Sequence, residues 1–553
     1  MRLVVVGGVA GGMSAAARYR RLHESAEIVV LERGGEVSFA NCGLPYFVSG
    51  EIQDKGALLV QTPESLRAAL RLDVRVHTEA VGLDVAKREV AVEGPEGPYS
   101  LGYDALVLSP GALAARPPIP GLDSPRVMTL RTVPDALALY EVARDAKRAV
   151  VLGAGFIGLE AAEALHMRGL DVAIVELAPH VLPPLENEMA YYVTKELSRV
   201  GIDVHDGVSA DAIEHGEAAD TVVLSDGTRL EADVIVLSVG VRPDTEVWEQ
   251  AGVACERGAI VVDEAGRTNV PDVWAVGDAT VSVDRVTGAR RPVALAGPAN
   301  RAGRLVADGI AGRLEHRVPT TIGTAIVRVG KLTAAMTGAN RRALDEAGIE
   351  YHTIHSHGAN HAGYFPGATQ IHLVLHFGTD GKVLGAQAVG EAGVDKRIDV
   401  ISVALKAGMS VHDLIDLDLA YSPPYGSAKD PVNMAGMMAA NVLDHTMDVW
   451  HAADLDEMLA ERLILDVRSA GEVATGHLPG MLNIPHTELA ERLDEVRTAA
   501  AGRRIAVHCA SGIRSYLAHR QLVQAGFESV NLSGGILTLR AEMGDVLDEI
   551  LVR

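Results

Sequence analysis

Cysteine is scarce: the chain has three in 553 residues, at positions 42, 255 and 509. Thiols so few and so far apart exclude a disulfide framework and point to a reducing compartment, expected to be the cytoplasm. Aromatic residues are also few, at 4%, against 48% apolar residues and 57 glycines. That balance describes an Ala/Val/Leu-rich α/β protein with many glycine turns. Basic residues are outnumbered, 50 Lys and Arg against 73 Asp and Glu, for a net charge of −23. Such a chain lacks the broad cationic surface that nucleic acid requires, so no nucleic-acid partner is expected. A local basic pocket for one phosphate-bearing ligand is still compatible with it. No uncharged apolar run reaches the roughly 18 residues that span a bilayer, so no membrane partner is expected. The apolar stretch after Arg2 ends at Gly7 and is too short for a signal-peptide core. The length exceeds one hydrophobic core, and about three to five structural units are expected.

What is present, first, is a repeated pattern. Strand 3–6, a glycine turn at 7–12, helix 13–22 and strand 27–31 lead to Glu32. Strand 149–152, a turn at 153–158, helix 158–168 and strand 171–175 lead to Glu176. Glu32 lies 20 residues past Gly12 and Glu176 lies 18 past Gly158, where the acidic ribose ligand of a dinucleotide site belongs. One glycine fingerprint is weak, because any tight strand-to-helix turn recruits glycine; two copies with their acids are a strong signal. The second turn, Gly153-Ala-Gly155-Phe-Ile-Gly158, is a full match. The first, Gly7-Gly8-Val9-Ala10-Gly11-Gly12, has Val9 where a glycine normally lets backbone approach a pyrophosphate.

Two further segments, L-V-L-S-P-G-A (106–112) and T-N-V-P-D-V-W-A-V-G-D-A (268–279), resemble the return strands of flavoprotein disulfide reductases with two dinucleotide domains. That resemblance implies Asp278 on the ribityl chain of FAD. The alternative is an aspartate capping a helix near 298. It also implies cofactor contacts from Gly7, Gly8, Ala10, Gly11, Gly12, Glu32, Asn41, Gly111 and Ala296 for FAD, and from Gly153, Gly155, Gly158 and Glu176 for NAD(P)H. NADH is favoured over NADPH, because Glu176 would repel a 2′-phosphate.

Cys42 lies in S-F-A-N-C-G-L-P-Y (38–46), and Phe47 stands five positions on, where most of these reductases carry a second cysteine. A lone redox cysteine must pass through sulfenic acid or a mixed disulfide with another molecule. The segment resembles the single-cysteine branch: NADH peroxidase, NADH oxidase and coenzyme A disulfide reductase. The first glycine turn has no histidine for oxygen chemistry, and S-F-A-N-C-G-L-P-Y is similar to the coenzyme A disulfide reductases. H-A-G-Y-F-P-G (361–367) and A-Y-S-P-P-Y-G (420–426) resemble that family's interface segments. The resemblance implies a homodimer in which tyrosines of the partner subunit protonate a leaving thiolate. Tyr364 takes one such role; Tyr421 and Tyr425 compete for the other, with Tyr425 favoured. Arg18 and Arg21 on the first helix, with Arg67 and Arg71, are candidate cations for coenzyme A, and Ser38, Phe39 and Asn41 for the substrate channel. Arg20, on the same helix as Arg18 and Arg21, is a further candidate cation.

The last hundred residues resemble a rhodanese domain, through D-V-R-S (466–469), G-H-L-P-G-M-L-N-I-P (476–485) and C-A-S-G-I-R-S (509–515). A loop of amides between Cys509 and Arg514, opening a helix, cradles an anion and favours a thiolate. Four residues separate Cys509 from Arg514, one fewer than in the related phosphatase loop, which favours sulfur transfer. His352, His355, His357 and His361 fit no zinc spacing; no metal is expected, and they read as a polar loop. Cys255 reads as structural.

The expected architecture is α/β: two Rossmann-like domains for FAD and NAD, an α+β dimerisation domain and a C-terminal rhodanese domain. The boundaries expected are FAD domain 1–112 and 245–320, NAD(P)H domain 113–244, interface domain 321–442, linker 443–454 and rhodanese domain 455–553. The resemblance as a whole implies an FAD- and NAD(P)H-dependent reductase of coenzyme A disulfide, persulfide and polysulfide. The alternatives are an NADH oxidase or peroxidase with a sulfurtransferase appendage, and a redox-sensing flavoprotein.

Overall fold

The computed structural model describes residues 1–313 and 317–552. Residues 314–316 of the expected second FAD segment, and Arg553 of the expected rhodanese domain, lie outside the described residues. Two compact units are formed, by Met1–Pro179 with Gly201–Thr321 and by His180–Val200 with Ile322–Arg553.

The first unit holds two parallel sheets. One orders its strands Val273–Ala275, Ala105–Leu108, Arg2–Val6, Glu27–Leu31, Asp73–Arg75. The other orders them Asp203–His205, Asp171–Val175, Arg148–Leu152, Val234–Leu237, Val127–Met128. Their central strands are continuous apolar runs, such as Leu3–Val6 and Ala149–Leu152, and are buried on both faces as parallel strands covered by helices must be. In each sheet the strand order reverses beside the first strand of the repeat, and that crevice is where doubly wound folds bind ligands. The helices after the two turns are Ala10–Leu22 and Phe156–Met167. They begin two or three residues earlier than the glycine pattern suggests, because the turn glycines themselves form the first helical turn.

The second unit is built on two sheets. An antiparallel sheet runs Ala325–Val329, Leu332–Gly338, Val383–Gly390, Gln370–Gly378, Tyr351–Ala359. The parallel one runs Val449–Trp450, Ser529–Leu532, Ile505–His508, Leu463–Asp466, Leu482–Asn483. Three expectations change here. Val449–Trp450 pairs with Asn531 and Leu532, and Trp450 is buried, so this sheet starts inside the expected linker. Residues 180–200, read as part of the nucleotide domain, belong to the second unit, since Glu186 donates its N–H to Gln387 Oε1 at 2.6 Å. The histidines read as a polar loop instead occupy and follow the buried strand Tyr351–Ala359, where His355 is fully enclosed. His355 and His357 find partners remote in sequence, Glu188, Ser533 and Thr538, which composition alone cannot reveal.

Candidate active sites

The two glycine turns repeat each other atom for atom in their acidic partners. Glu32 accepts from Gly8 N–H and Gly34 N–H, both at 2.8 Å. Glu176 accepts from Ala154 N–H at 2.6 Å and Ala178 N–H at 2.8 Å. Gly7 and Gly153 have φ of +95° and +98°. A Cβ on Gly7 would enter the Ser109 carbonyl oxygen, so the close approach of two strands demands glycine there. Val9 causes no distortion: it caps the first helix at φ −109°, a conformation open to any L-residue. Neither helix carries a side-chain N-cap bond. Their first amides therefore face the turn, as anion binding requires.

Asp278 lies at the end of the strand Val273–Ala275, half-buried, and burial raises its carboxyl above the ordinary range although Arg131 opposes this. It does not cap the helix Ala296–Ile310, whose N-cap is Leu295. Gly111 adopts φ +75° and its carbonyl accepts from Asp244 N–H at 3.1 Å. Uncapped helix amides, glycines that admit no Cβ and a desolvated carboxyl at a strand end fit FAD and a nicotinamide dinucleotide.

Cys42 is exposed on the short turn Asn41–Gly43, which leads into the helix Leu44–Ser49. Its thiol is raised by surrounding atoms, then by the charge of Glu160 and by Asp278. Glu160 accepts from Tyr46 Oη at 3.1 Å. Asn41 Nδ2 reaches the Arg131 carbonyl at 3.5 Å. Ser38 holds φ +47° and donates its N–H to Gly8 O at 2.9 Å; Phe39 bridges Leu59. Phe47 is 6% exposed, with its ring 5.2 Å from Tyr140. Glu160, Arg131 and Tyr140 were not singled out in sequence. Only Glu160 had a visible signal, two positions past the last turn glycine.

The candidate cations divide. Arg18 is held by Asp308, Nε to Oδ1 at 2.7 Å, and Arg71 is paired with Glu24. Arg20 is buried against the carbonyls of Leu70, Glu24, Ala26 and Arg71 and serves the fold. Arg21 and Arg67 are exposed. Cys255 is half-buried in a short hairpin opposite Ile260.

In the second unit Tyr364 and Tyr425 are 76% and 74% exposed. Tyr364 Oη meets Tyr421 Oη at 3.1 Å, not Tyr425, and that bond raises the Tyr364 hydroxyl. Cys509 is fully buried between the strand Ile505–His508 and the helix Ile513–Gln524. Its Sγ accepts from Gly512 N–H at 3.2 Å and Ser515 Oγ at 3.3 Å. Arg514 forms a two-pronged bond to Glu472, at 2.8 and 2.6 Å, which lowers Glu472 to about 2. Glu472 was also missed, though Ser469-x-x-Glu472 spells a capping box that the structure contains. Among the described residues no group of three or more His, Cys, Asp or Glu is placed to hold a metal, and no helix is long and apolar enough to cross a membrane.

Paired nucleotide folds with a lone thiol at one crevice define a flavoprotein reductase. The chain belongs to the pyridine nucleotide-disulphide oxidoreductases, an FAD- and NAD(P)H-dependent family whose model matches residues 1–294; the family's dimerisation domain matches 324–431 and a rhodanese-like domain matches 451–542. The coenzyme A disulfide reductase of Staphylococcus haemolyticus is 33% identical over 447 residues, covering 80% of this chain and 100% of that protein. The reduced Bacillus anthracis CoADR-RHD structure matches with a TM-score of 0.97 at 40% identity, over 100% of this chain and 99% of that one. The NAD-dependent persulfide reductase from A. fulgidus matches at 0.91 and 37%, over 97% and 100%.

Proposed function

We propose that the chain is an NADH-dependent reductase of coenzyme A disulfide, coenzyme A persulfide and polysulfide, with Cys42 as its redox thiol and Cys509 as a carrier of sulfane sulfur. The observation that carries this is the lone exposed Cys42 with buried Phe47 where a second thiol would stand. No disulfide can form within that motif, so the second sulfur must come from a small molecule.

Bound FAD supplies the passage of two electrons from the nicotinamide to sulfur. Glu32 and Asp278 would hold its ribose and ribityl hydroxyls, with Gly7–Gly12, Asn41, Gly111 and Ala296 around it. Gly153, Gly155, Gly158 and Glu176 would hold the nicotinamide dinucleotide, and the Glu176 carboxylate would select NADH. The Cys42 thiolate attacks a disulfide RSSR, expels RS⁻ and forms Cys42–S–S–R. Two electrons then release the second RS⁻ and restore the thiolate. The balance is NADH + H⁺ + RSSR → NAD⁺ + 2 RSH, with hydrogen sulfide as one product when RSSH replaces RSSR. Tyr364, which keeps its proton through the Tyr421 bond, protonates the departing thiolate across a homodimer, with Tyr425 or Tyr421 beside it. Arg21 and Arg67 are the exposed cations left for the phosphates of coenzyme A, and Ser38, Phe39 and Asn41 line its approach. Arg514, fixed by Glu472, orients the anionic sulfur donor at Cys509. The cytoplasm is the proposed compartment.

Cys42→Ser tests the reading. It is expected to lower NADH-driven reduction of coenzyme A disulfide by about 1,000-fold or more while FAD stays bound. Cys509→Ser should spare that substrate and lower turnover on polysulfide. Oxygen or peroxide consumption exceeding disulfide reduction in the parent protein would overturn the proposal.

A further inference from the structure

The second unit contains a buried polar chain that the proposed reaction does not use. Glu188, on the helix Asn187–Val200, and His355, in the strand Tyr351–Ala359, are fully buried, and Ser533 is 3% exposed. Glu188 Oε1 lies 2.7 Å from His355 Nε2. His355 Nδ1 lies 2.9 Å from Ser533 Oγ, which also accepts the His355 backbone N–H at 3.1 Å. Arg341 Nη2 donates to Glu188 Oε1 at 2.5 Å; against the burial that opposes it, the His355 hydrogen bond first and the Arg341 charge after it hold that carboxylate ionised. The network assigns the tautomer: Nε2–H donates to Glu188, and Nδ1 accepts from the Ser533 hydroxyl. Carboxylate, imidazole and hydroxyl stand in the order of an activated nucleophile, but burial of all three keeps substrate away.

What the chain grips is the turn beneath the sulfur loop. Ser533 precedes Gly534 and Gly535, at φ +69° and +64°, and the helix Gly535–Met543 begins there. The first amides of that helix hold the loop from behind: Ile536 N–H donates to Cys509 O at 2.9 Å and Leu537 N–H to Ala510 O at 3.0 Å. The strand presses on the turn closely enough that a Cβ on Gly534 would lie 2.7 Å from His355 Cβ. A second histidine repeats the arrangement, with His357 Nε2 2.8 Å from Thr538 Oγ1. At the far end of the helix, Asn187 Nδ2 donates to the Glu542 carbonyl at 2.7 Å. The loop whose Gly512 amide points at Cys509 Sγ therefore rests on a helix held at both ends from outside the rhodanese-like domain.

We infer that His355 and Ser533 are positioning residues for Cys509: their hydrogen bond fixes the Ser533–Gly535 turn and, through Ile536 and Leu537, the sulfur loop itself. This rests on the reading of Cys509 as a sulfur carrier. The test uses the full-length, FAD-loaded protein and two variants, Ser533→Ala and His355→Gln. Each is expected to lower kcat for transfer of the outer sulfur of thiosulfate to cyanide about five-fold, the effect of one lost buried hydrogen bond, with KM for thiosulfate changed less than about two-fold. The double variant should be no worse than the more damaging single one, because both remove the same bond. Deuterium exchange should quicken in peptides spanning 509–514 and 533–538 and not elsewhere in the domain, and NADH-driven disulfide reduction should stay within about two-fold. Unchanged exchange over 509–514 with intact kcat overturns the inference. So does exchange that rises throughout the domain while kcat and KM move together, the mark of a purely structural bond. A parent protein that transfers no sulfur defeats the reading of Cys509, and the exchange data then decide the positioning alone.

Discussion

Cys42 sits in the field of a carboxylate. Surrounding atoms and the charge of Glu160 both raise its thiol, so the thiolate is disfavoured. Removing the charge reverses the second effect: Glu160→Gln is expected to move the alkylation rate–pH curve of Cys42 to lower pH. Iodoacetamide labelling followed peptide by peptide checks this, and an unmoved curve would show that Glu160 does not act on the thiol. The cysteines themselves were legible, because each sits in a contiguous motif. Glu160 was not, because its partner Tyr46 lies 114 positions away. Arg18 and Arg71 were readable as cations but not as engaged ones, since their acids are Asp308, on a distant helix, and Glu24, in the turn after the first helix.

Among the elements, the helix Gly535–Met543 carries near its end an acid held above its ordinary range. Glu542 is raised to about 7 by burial and by the charge of Glu188, with Arg341 only partly offsetting them. Its folded value lies above its unfolded one, so its contribution to stability is complete below about pH 4.5 and is lost as pH rises through 7. Glu542→Gln is therefore expected to stabilise the protein at pH 8 by on the order of 1–3 kcal/mol, with the gain shrinking toward pH 5. Urea midpoints at the two values measure it; an equal gain at both would contradict the assignment. The histidines oppose this at acid pH. His372 and His451 are depressed to about 4 and about 3, first by burial, so their contribution is present above about 6.5 and lost as pH falls through those values. The strands, turns and helices of the two repeats were legible because apolar runs and glycine turns are local signals. The strand Tyr351–Ala359 was mistaken for a loop because its polar residues are satisfied by Glu188, Ser533 and Thr538, none of them near in sequence.

For the whole molecule, the order of folds could be read from end to end, since each brings its own motif. The join before the rhodanese-like domain could not, because Val449–Trp450 shows its place only when paired with Asn531 and Leu532. The match to a dimerisation domain over 324–431, with Tyr364 and Tyr425 exposed, supports a working homodimer. Sedimentation is expected to give twice the chain mass. Dilution that separates the subunits should abolish disulfide reduction while NADH still bleaches the flavin; a monomer active on coenzyme A disulfide would refute the shared site. One consequence follows from Phe47, packed at 5.2 Å against Tyr140. With no second cysteine in that motif, the proposed oxidised form of Cys42 is a mixed disulfide, made when its thiolate displaces one half of a low-molecular-weight disulfide and releases the other half as thiolate. Isolated from cells rich in a different low-molecular-weight disulfide, the same polypeptide is expected to carry that thiol instead, a chemical imprint of the cell in which it was made.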